Sequence, residues 1–164
     1  MPALLCITGA SGTGKTTALT HLREHIDEHV LPLLYFDSLG VPHEAEMELG
    51  WDTGRGWQKA MTWHWVRTAV SVFRTKPLVM LEGQFDPQYA LAACTANGVR
   101  FKIALLDADA ATCSQRRAQA VDGTWVAYLR ETGQQLGCTV VDASRQPAHV
   151  VDDLCALALQ LVSH

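Results

Sequence analysis

The sequence predicts a three-layer α/β/α sandwich built on a five-stranded parallel sheet. Three observations lead there. Short apolar runs alternate with longer segments of helical periodicity along all 164 residues. The composition is 48% hydrophobic and only 18% charged, which suits strands covered on both faces. An acid follows four of the apolar runs, at Asp37, Glu82, Asp107 and Asp142.

The elements follow in order. Ala3–Thr8 is an apolar run that enters a glycine-rich turn, and reads as a strand. Lys15–Glu28 reads as a helix, with Leu19, Leu22 and Ile26 on one face. Leu31–Phe36 is a second strand, with Pro32 near its start. Residues 38–56 hold four glycines and a proline and read as a mostly irregular excursion. Trp57–Arg74 is a helix tracked by Trp57, Met61, Trp65, Ala69 and Val72. Pro77–Leu81 is a third strand, Pro87–Ala96 a helix with proline at its first turn, and Phe101–Leu106 a fourth strand. Ala110–Ala120 is a helix capped by Asp109, and Thr124–Gln135 is another. Cys138–Val141 is the fifth strand, and Pro147–Val162 is the last helix. Alternation of this kind means parallel pairing with right-handed crossovers, in one domain of ordinary size.

Composition excludes several classes. Lys+Arg total 13 against 17 Asp+Glu, with no basic stripe, which speaks against nucleic acid as a partner. No apolar run reaches the length of about 18 residues that spans a bilayer, and Ala3–Thr8 lacks the basic flank of a signal peptide. Five scattered cysteines with no CxxC pair fit buried thiols in a reducing cytoplasm. The low charge leaves room for an apolar surface that meets a partner, such as a second copy in a homodimer.

The segment Gly9-Ala-Ser-Gly-Thr-Gly-Lys15-Thr16 fits G-x-x-x-x-G-K-[ST] in full, between a strand and a helix. Its chemistry explains its spacing. Gly9, Gly12 and Gly14 let the loop curl, so that backbone N–H groups from Ser11 through Thr17 converge on phosphate oxygens. The following helix aims its positive end at the same oxygens. Lys15 neutralises charge on the β and γ phosphates, and the Thr16 hydroxyl ligates Mg²⁺. A second acid must help hold the metal, and Glu82 ends the strongest apolar run. Its length favours contact through water. In open parallel sheets ligands bind outside the carboxyl ends of the strands, where all four acids fall.

On Gly9–Thr16, Asp37, Glu82-Gly83, Arg116-Arg117 and Asp142-Ala-Ser-Arg145 the chain resembles the small P-loop kinases, the group containing adenylate, shikimate and gluconate kinases. It is similar also to bacterial P-loop proteins that share Gly40-Val-Pro-His43, Trp57-Gln58, Glu82-Gly-Gln-Phe85 and Trp125-Val-Ala-Tyr-Leu-Arg130. The resemblance implies strand order 2-3-1-4-5, ATP over the loop, and a small-molecule or nucleotide acceptor beside strands two and three. Asp37 then orients the acceptor and takes its proton. Arg116 and Arg117 open a short lid over about residues 116–130, with one arginine on adenine and another on phosphate. The family's further lid arginine is replaced by Gln119, Ala120 and Val121, so either Arg117 or Arg130 supplies charge to the transition state, or catalysis is slow. The stretch Asp142–Pro147 falls on the adenine side. No Asn-Lys-x-Asp or Leu-Ser-Gly-Gly-Gln motif occurs, which sets aside GTPases and transporter ATPases. A nucleotide-binding switch with no acceptor is the rival reading, and the arginine-poor lid favours it.

Four of five tryptophans, Trp51, Trp57, Trp63 and Trp65, lie in the acceptor-side excursion at 38–67. The helical spacing of Trp57, Met61 and Trp65 favours helix-to-sheet core; the alternative makes some of the four tryptophans walls of an apolar acceptor pocket. Arg55 and Arg67 could reach an anionic acceptor, although exposed charges are the simpler reading. His21, His25 and His29 lie a helical turn apart, but beside Glu24, Asp27 and Glu28 on a solvated face that argues against metal.

Overall fold

The structure is a computed structural model that describes residues 2–27 and 29–163. Its strands are β1 (Ala3–Thr8), β2 (Leu33–Tyr35), β3 (Leu78–Glu82), β4 (Arg100–Asp107) and β5 (Thr139–Asp142). Its helices are α1 (Lys15–Arg23), α2 (Glu44–Trp51), α3 (Gly54–Val72), α4 (Pro87–Ala96), α5 (Ala110–Arg117), α6 (Gly123–Gln135) and α7 (Pro147–Val162). The sheet is parallel throughout, in the order β2-β3-β1-β4-β5, as the resemblance implies.

Strand β1 lies in the middle because nothing on it needs water. All six of its side chains are buried. Its alternation divides the core into two layers. Ala3, Leu5 and Ile7 face α1, α5 and α7, with Leu19, Cys113 and Leu154 packed over them. Leu4 and Cys6 face α3 and α4, where Trp65, Ala69, Ala90 and Cys94 cover them. Helix α6 covers the β4 end of that second face through Val126 and Leu129 against Leu105. Cys6, Cys94 and Cys113 are buried. Among the described residues no helix is long and apolar enough to cross a membrane.

The strand register sets the site. Ile7 and Tyr35 both pair with Glu82, and Asp107 pairs with Asp142. The carboxyl ends of the strands thus form one edge, with the turn after Thr8 at its centre.

Several boundaries shift from the sequence reading, and four differences bear on the site. Helix α1 stops at Arg23, since beyond it only Ile26 packs on the core and the chain turns at Asp27, whose carbonyl accepts from Val30 and Leu31. Glu28, where the expected helix ended, lies outside the described residues. Strand β2 is three residues long because Pro32 has no N–H to donate, and Phe36 opens a 3₁₀ turn over Phe36–Leu39. The excursion is not mostly irregular. It holds α2 and the start of α3, which Thr53 caps by accepting from the Gly56 N–H at 2.9 Å. Helix α5 ends at Arg117, where Ala118 turns left-handed at φ 55°, so the lid connection to α6 is only residues 118–122.

Candidate active site at the carboxyl edge of the sheet

The loop from Gly9 to Thr16 curls tightly above β1. Gly12 and Gly14 have φ of 85° and 87°, which side-chain-bearing residues rarely adopt. A Cβ on Gly12 would also fall 2.5 Å from the Cys113 carbonyl oxygen. Thr13 braces the curl from inside, its hydroxyl donating to the Ala10 carbonyl at 2.9 Å. Helix α1 begins on Gly14 with no side-chain cap, which leaves its first N–H groups for a ligand.

Lys15 is buried, and its ammonium donates to the carbonyls of Gly9 at 2.8 Å and Ala10 at 3.0 Å. Burial lowers its pKa, opposed by the charges of Glu82 and Asp37. Glu82 is its counterpart at the end of β3. Burial raises the Glu82 pKa, Lys15 lowers it and Asp37 raises it. Among the described residues no donor hydrogen-bonds the Glu82 carboxylate.

These residues line one hollow of about 600 Å³. Ser11 through Thr17 form its floor. Asp37, Glu82 and Gln84 stand on one side, and Arg116, Ala143, Arg145, Pro147 and Val150 on the other. The fold holds each side in place. Asp37 is exposed but follows buried Phe36, whose carbonyl accepts from the Trp65 indole N–H at 3.0 Å and whose ring meets Trp57 edge-on at 5.6 Å. The Glu82–Phe85 turn is pinned by the Thr8 hydroxyl, which donates to the Phe85 carbonyl at 2.6 Å. Arg116 donates to the carbonyls of Ala143 at 2.7 Å and Thr13 at 3.2 Å, tying the phosphate loop to the turn after β5. Arg145 pairs with Asp153 and reaches the Asp142 carbonyl.

The structure brings most of the sequence-predicted site residues together around this hollow. Arg117 is an exception: it lies outside the lining and donates to the Ser11 hydroxyl. Arg130 does not reach the loop as a spare lid arginine. It forms a two-point ion pair with Asp107, both contacts at 2.9 Å. Of the four strand-end acids, Asp37 and Glu82 face the hollow. Asp107 is held by Arg130, and Asp142 accepts from Ser144. Trp57 and Trp65 are core as their spacing indicated, Trp63 lies under Arg67 at 5.7 Å, and Trp51 stays 39% exposed.

Sequence reasoning missed a polar cluster beside the site. Asp86 is fully buried, and its carboxylate accepts from Arg55 at 2.5 Å, Tyr128 at 2.6 Å and the Gln88 N–H at 2.9 Å. Arg55 also lies 5.1 Å from the Tyr128 ring centre. The only sequence signal was Asp86-Pro87, a helix start; its partners lie 31 and 42 residues away. Gln84, which lines the hollow, was also missed.

Neither a protein-family model nor a curated protein matches the chain. Solved structures do. A gluconokinase from Sinorhizobium meliloti 1021 superposes with a TM-score of 0.63 at 16% identity, over 99% of this chain and 94% of its own. A sugar kinase from Janibacter sp. HTCC2649 superposes with a TM-score of 0.59 at 18% identity, over 100% of both chains. At such identities the likeness is one of architecture. The chain therefore has the P-loop kinase-like fold, with its glycine-rich loop at the centre of a β2-β3-β1-β4-β5 sheet.

Proposed function

We propose that this chain, acting as one unit, is an ATP- and Mg²⁺-dependent phosphotransferase that phosphorylates a small-molecule hydroxyl. One observation carries the reading: Lys15, Thr16, Glu82 and Asp37 line a single hollow that the phosphate loop floors. Lys15 and the loop N–H groups hold the phosphates, and Ala143, Pro147 and Val150 offer an apolar wall to the base. Asp37, on the opposite side, orients the acceptor hydroxyl and accepts its proton.

The donor set fits Mg²⁺. This ion binds through one or two protein oxygens, with phosphates and water completing its shell. Thr16 in the floor and Glu82 on a side of the same hollow offer that number, and the described residues contain no cluster of three or more ligands that would suit a tighter protein-only site. When bound, the ion neutralises charge on the transferring phosphates. Expected is loss of ATP binding in Lys15→Ala by titration calorimetry; wild-type affinity in that variant would overturn the reading.

The rival reading, a nucleotide switch with no acceptor, is favoured by the arginines. Arg116, Arg117 and Arg130 are each engaged by carbonyls, a hydroxyl or a carboxylate. ADP release measured with and without a panel of alcohols separates the two. Stimulation by any one alcohol supports transfer, and a slow rate indifferent to all supports the switch.

A further inference from the structure

A second hollow begins just after Asp37 in the chain and shares no lining residue with the first. This hollow, of about 370 Å³, is lined by Leu39, Gly40, Val41, Pro42, Glu46 and Trp51. It starts two residues after Asp37, so chain geometry keeps the Asp37 and Leu39 Cα atoms within about 7.6 Å of each other. Its wall is apolar and open to solvent: Leu39, Val41 and Trp51 are 63%, 53% and 39% exposed. The described residues cover them only in part, and α2 buries no side chain of its own there. Exposed apolar side chains clustered beside a reactive carboxylate mark a ligand surface more than a solvent face.

Charge narrows the ligand. The segment from Asp37 to Gly56 carries five acids, Asp37, Glu44, Glu46, Glu48 and Asp52, against one basic residue, Arg55. Arg55 is already bound to Asp86 and Tyr128. The basic residues lining the main hollow are committed as well: Lys15 to the nucleotide's phosphates on the proposed reading, Arg116 to the Ala143 and Thr13 carbonyls, Arg145 to Asp153. A carboxylate or phosphate on the acceptor would need a guanidinium or ammonium to replace its water. Here it would meet Asp37, Glu82 and Glu46 instead.

We infer that the acceptor is a non-anionic alcohol with an apolar portion, its hydroxyl at Asp37 and its apolar part against Leu39, Val41 and Trp51. This rests on the phosphotransferase reading. In the step itself the acceptor oxygen forms a bond to the γ-phosphorus, the bond from that phosphorus to the β–γ bridging oxygen breaks, ADP leaves with the electron pair, and the hydroxyl proton passes to Asp37.

The test compares four alcohols as acceptors with ATP and Mg²⁺: 3-phenylpropane-1,2-diol, phenylalaninol, 3-phenyllactate and glycerol. The first two should show kcat/KM at least about tenfold above the last two, since lost apolar contact and an unpaired charge each cost that much. Trp51→Ala should raise KM for the phenyl diol with kcat kept. Equal or better use of phenyllactate overturns the inference and leaves phosphotransfer standing, as does an unchanged KM in Trp51→Ala. A dimer in sedimentation that Trp51→Ala dissociates would place a second copy on this face and overturn it too. Nucleotide binding with transfer to none of the four overturns the inference, and only slow ADP release indifferent to the whole panel of alcohols removes the phosphotransferase reading as well.

Discussion

Tyr128 on α6 donates a hydrogen bond to the Asp86 carboxylate at 2.6 Å, and Arg55 from the first turn of α3 reaches the same oxygen at 2.5 Å. One buried acid thereby joins the acceptor-side helix to the helix that follows the lid. The carboxylate has no water to fall back on, so its donors matter. Tyr128→Phe should cost about 1 kcal/mol and Arg55→Ala about 2 kcal/mol in urea denaturation. Together they should cost more than the sum, because the last side-chain donor is then gone and only the Gln88 N–H remains. Additive values would show that the two donors act independently.

The role proposed for Asp37 separates binding from chemistry. It touches neither the floor of the phosphate loop nor its lysine by hydrogen bond, so Asp37→Asn should leave ATP affinity near wild type. Phosphotransfer should fall by about 10²–10⁴-fold, the usual contribution of a positioned base. Unchanged turnover would remove its role.

Gly83 is a tight point between the two acids of the site. A Cβ there would lie 2.2 Å from the Phe36 Cβ and 2.8 Å from its Cγ. Phe36 is buried and immediately precedes Asp37, so it cannot yield without moving the acid. Gly83→Ala should lose about 1–3 kcal/mol in a denaturation curve, the usual cost of overpacking, and impair transfer more than nucleotide binding. A stable variant with full transfer would show that Phe36 can shift on its own.

Glu82 gives a pH signature. Its pKa is raised above the ordinary 4.5, chiefly by burial. The folded protein therefore holds this proton more tightly than the unfolded chain does. The associated stability is present at low pH and is lost as pH rises through the raised value. Glu82→Gln should accordingly melt higher than wild type at neutral pH, by about 2–4 °C for each kcal/mol gained, and the difference should vanish in acid. Metal-promoted nucleotide binding should show the reverse. In wild type it should weaken as pH falls through that value, and in Glu82→Gln it should be weak and flat.

The parts of this molecule that were legible in the sequence are those with a local cause. Apolar runs marked the five strands because both faces of the sheet are covered. The spacing of Gly9, Gly12, Gly14, Lys15 and Thr16 marked the loop because phosphate geometry demands it. Helix α2 was invisible because it buries no side chain, so no apolar period records it. The partners of Arg55 and Arg130 were invisible for another reason. Tyr128, Asp86 and Asp107 meet them only once the sheet has brought distant segments to one edge.

On the proposed reading, helix α2 leaves the protein free to change its acceptor without rebuilding its glycine-rich loop. Apart from Met47, which packs on the core, substitutions on this helix act at the surface, where most cost less than about half a kcal/mol. The phosphate loop, by contrast, stands on a strand whose every side chain is buried, and tolerates little. On the proposed reading, selection can therefore retune which acceptor is recognised at almost no risk to folding. Close relatives of this chain should diverge first between Gly40 and Asp52, and last between Ala3 and Thr16.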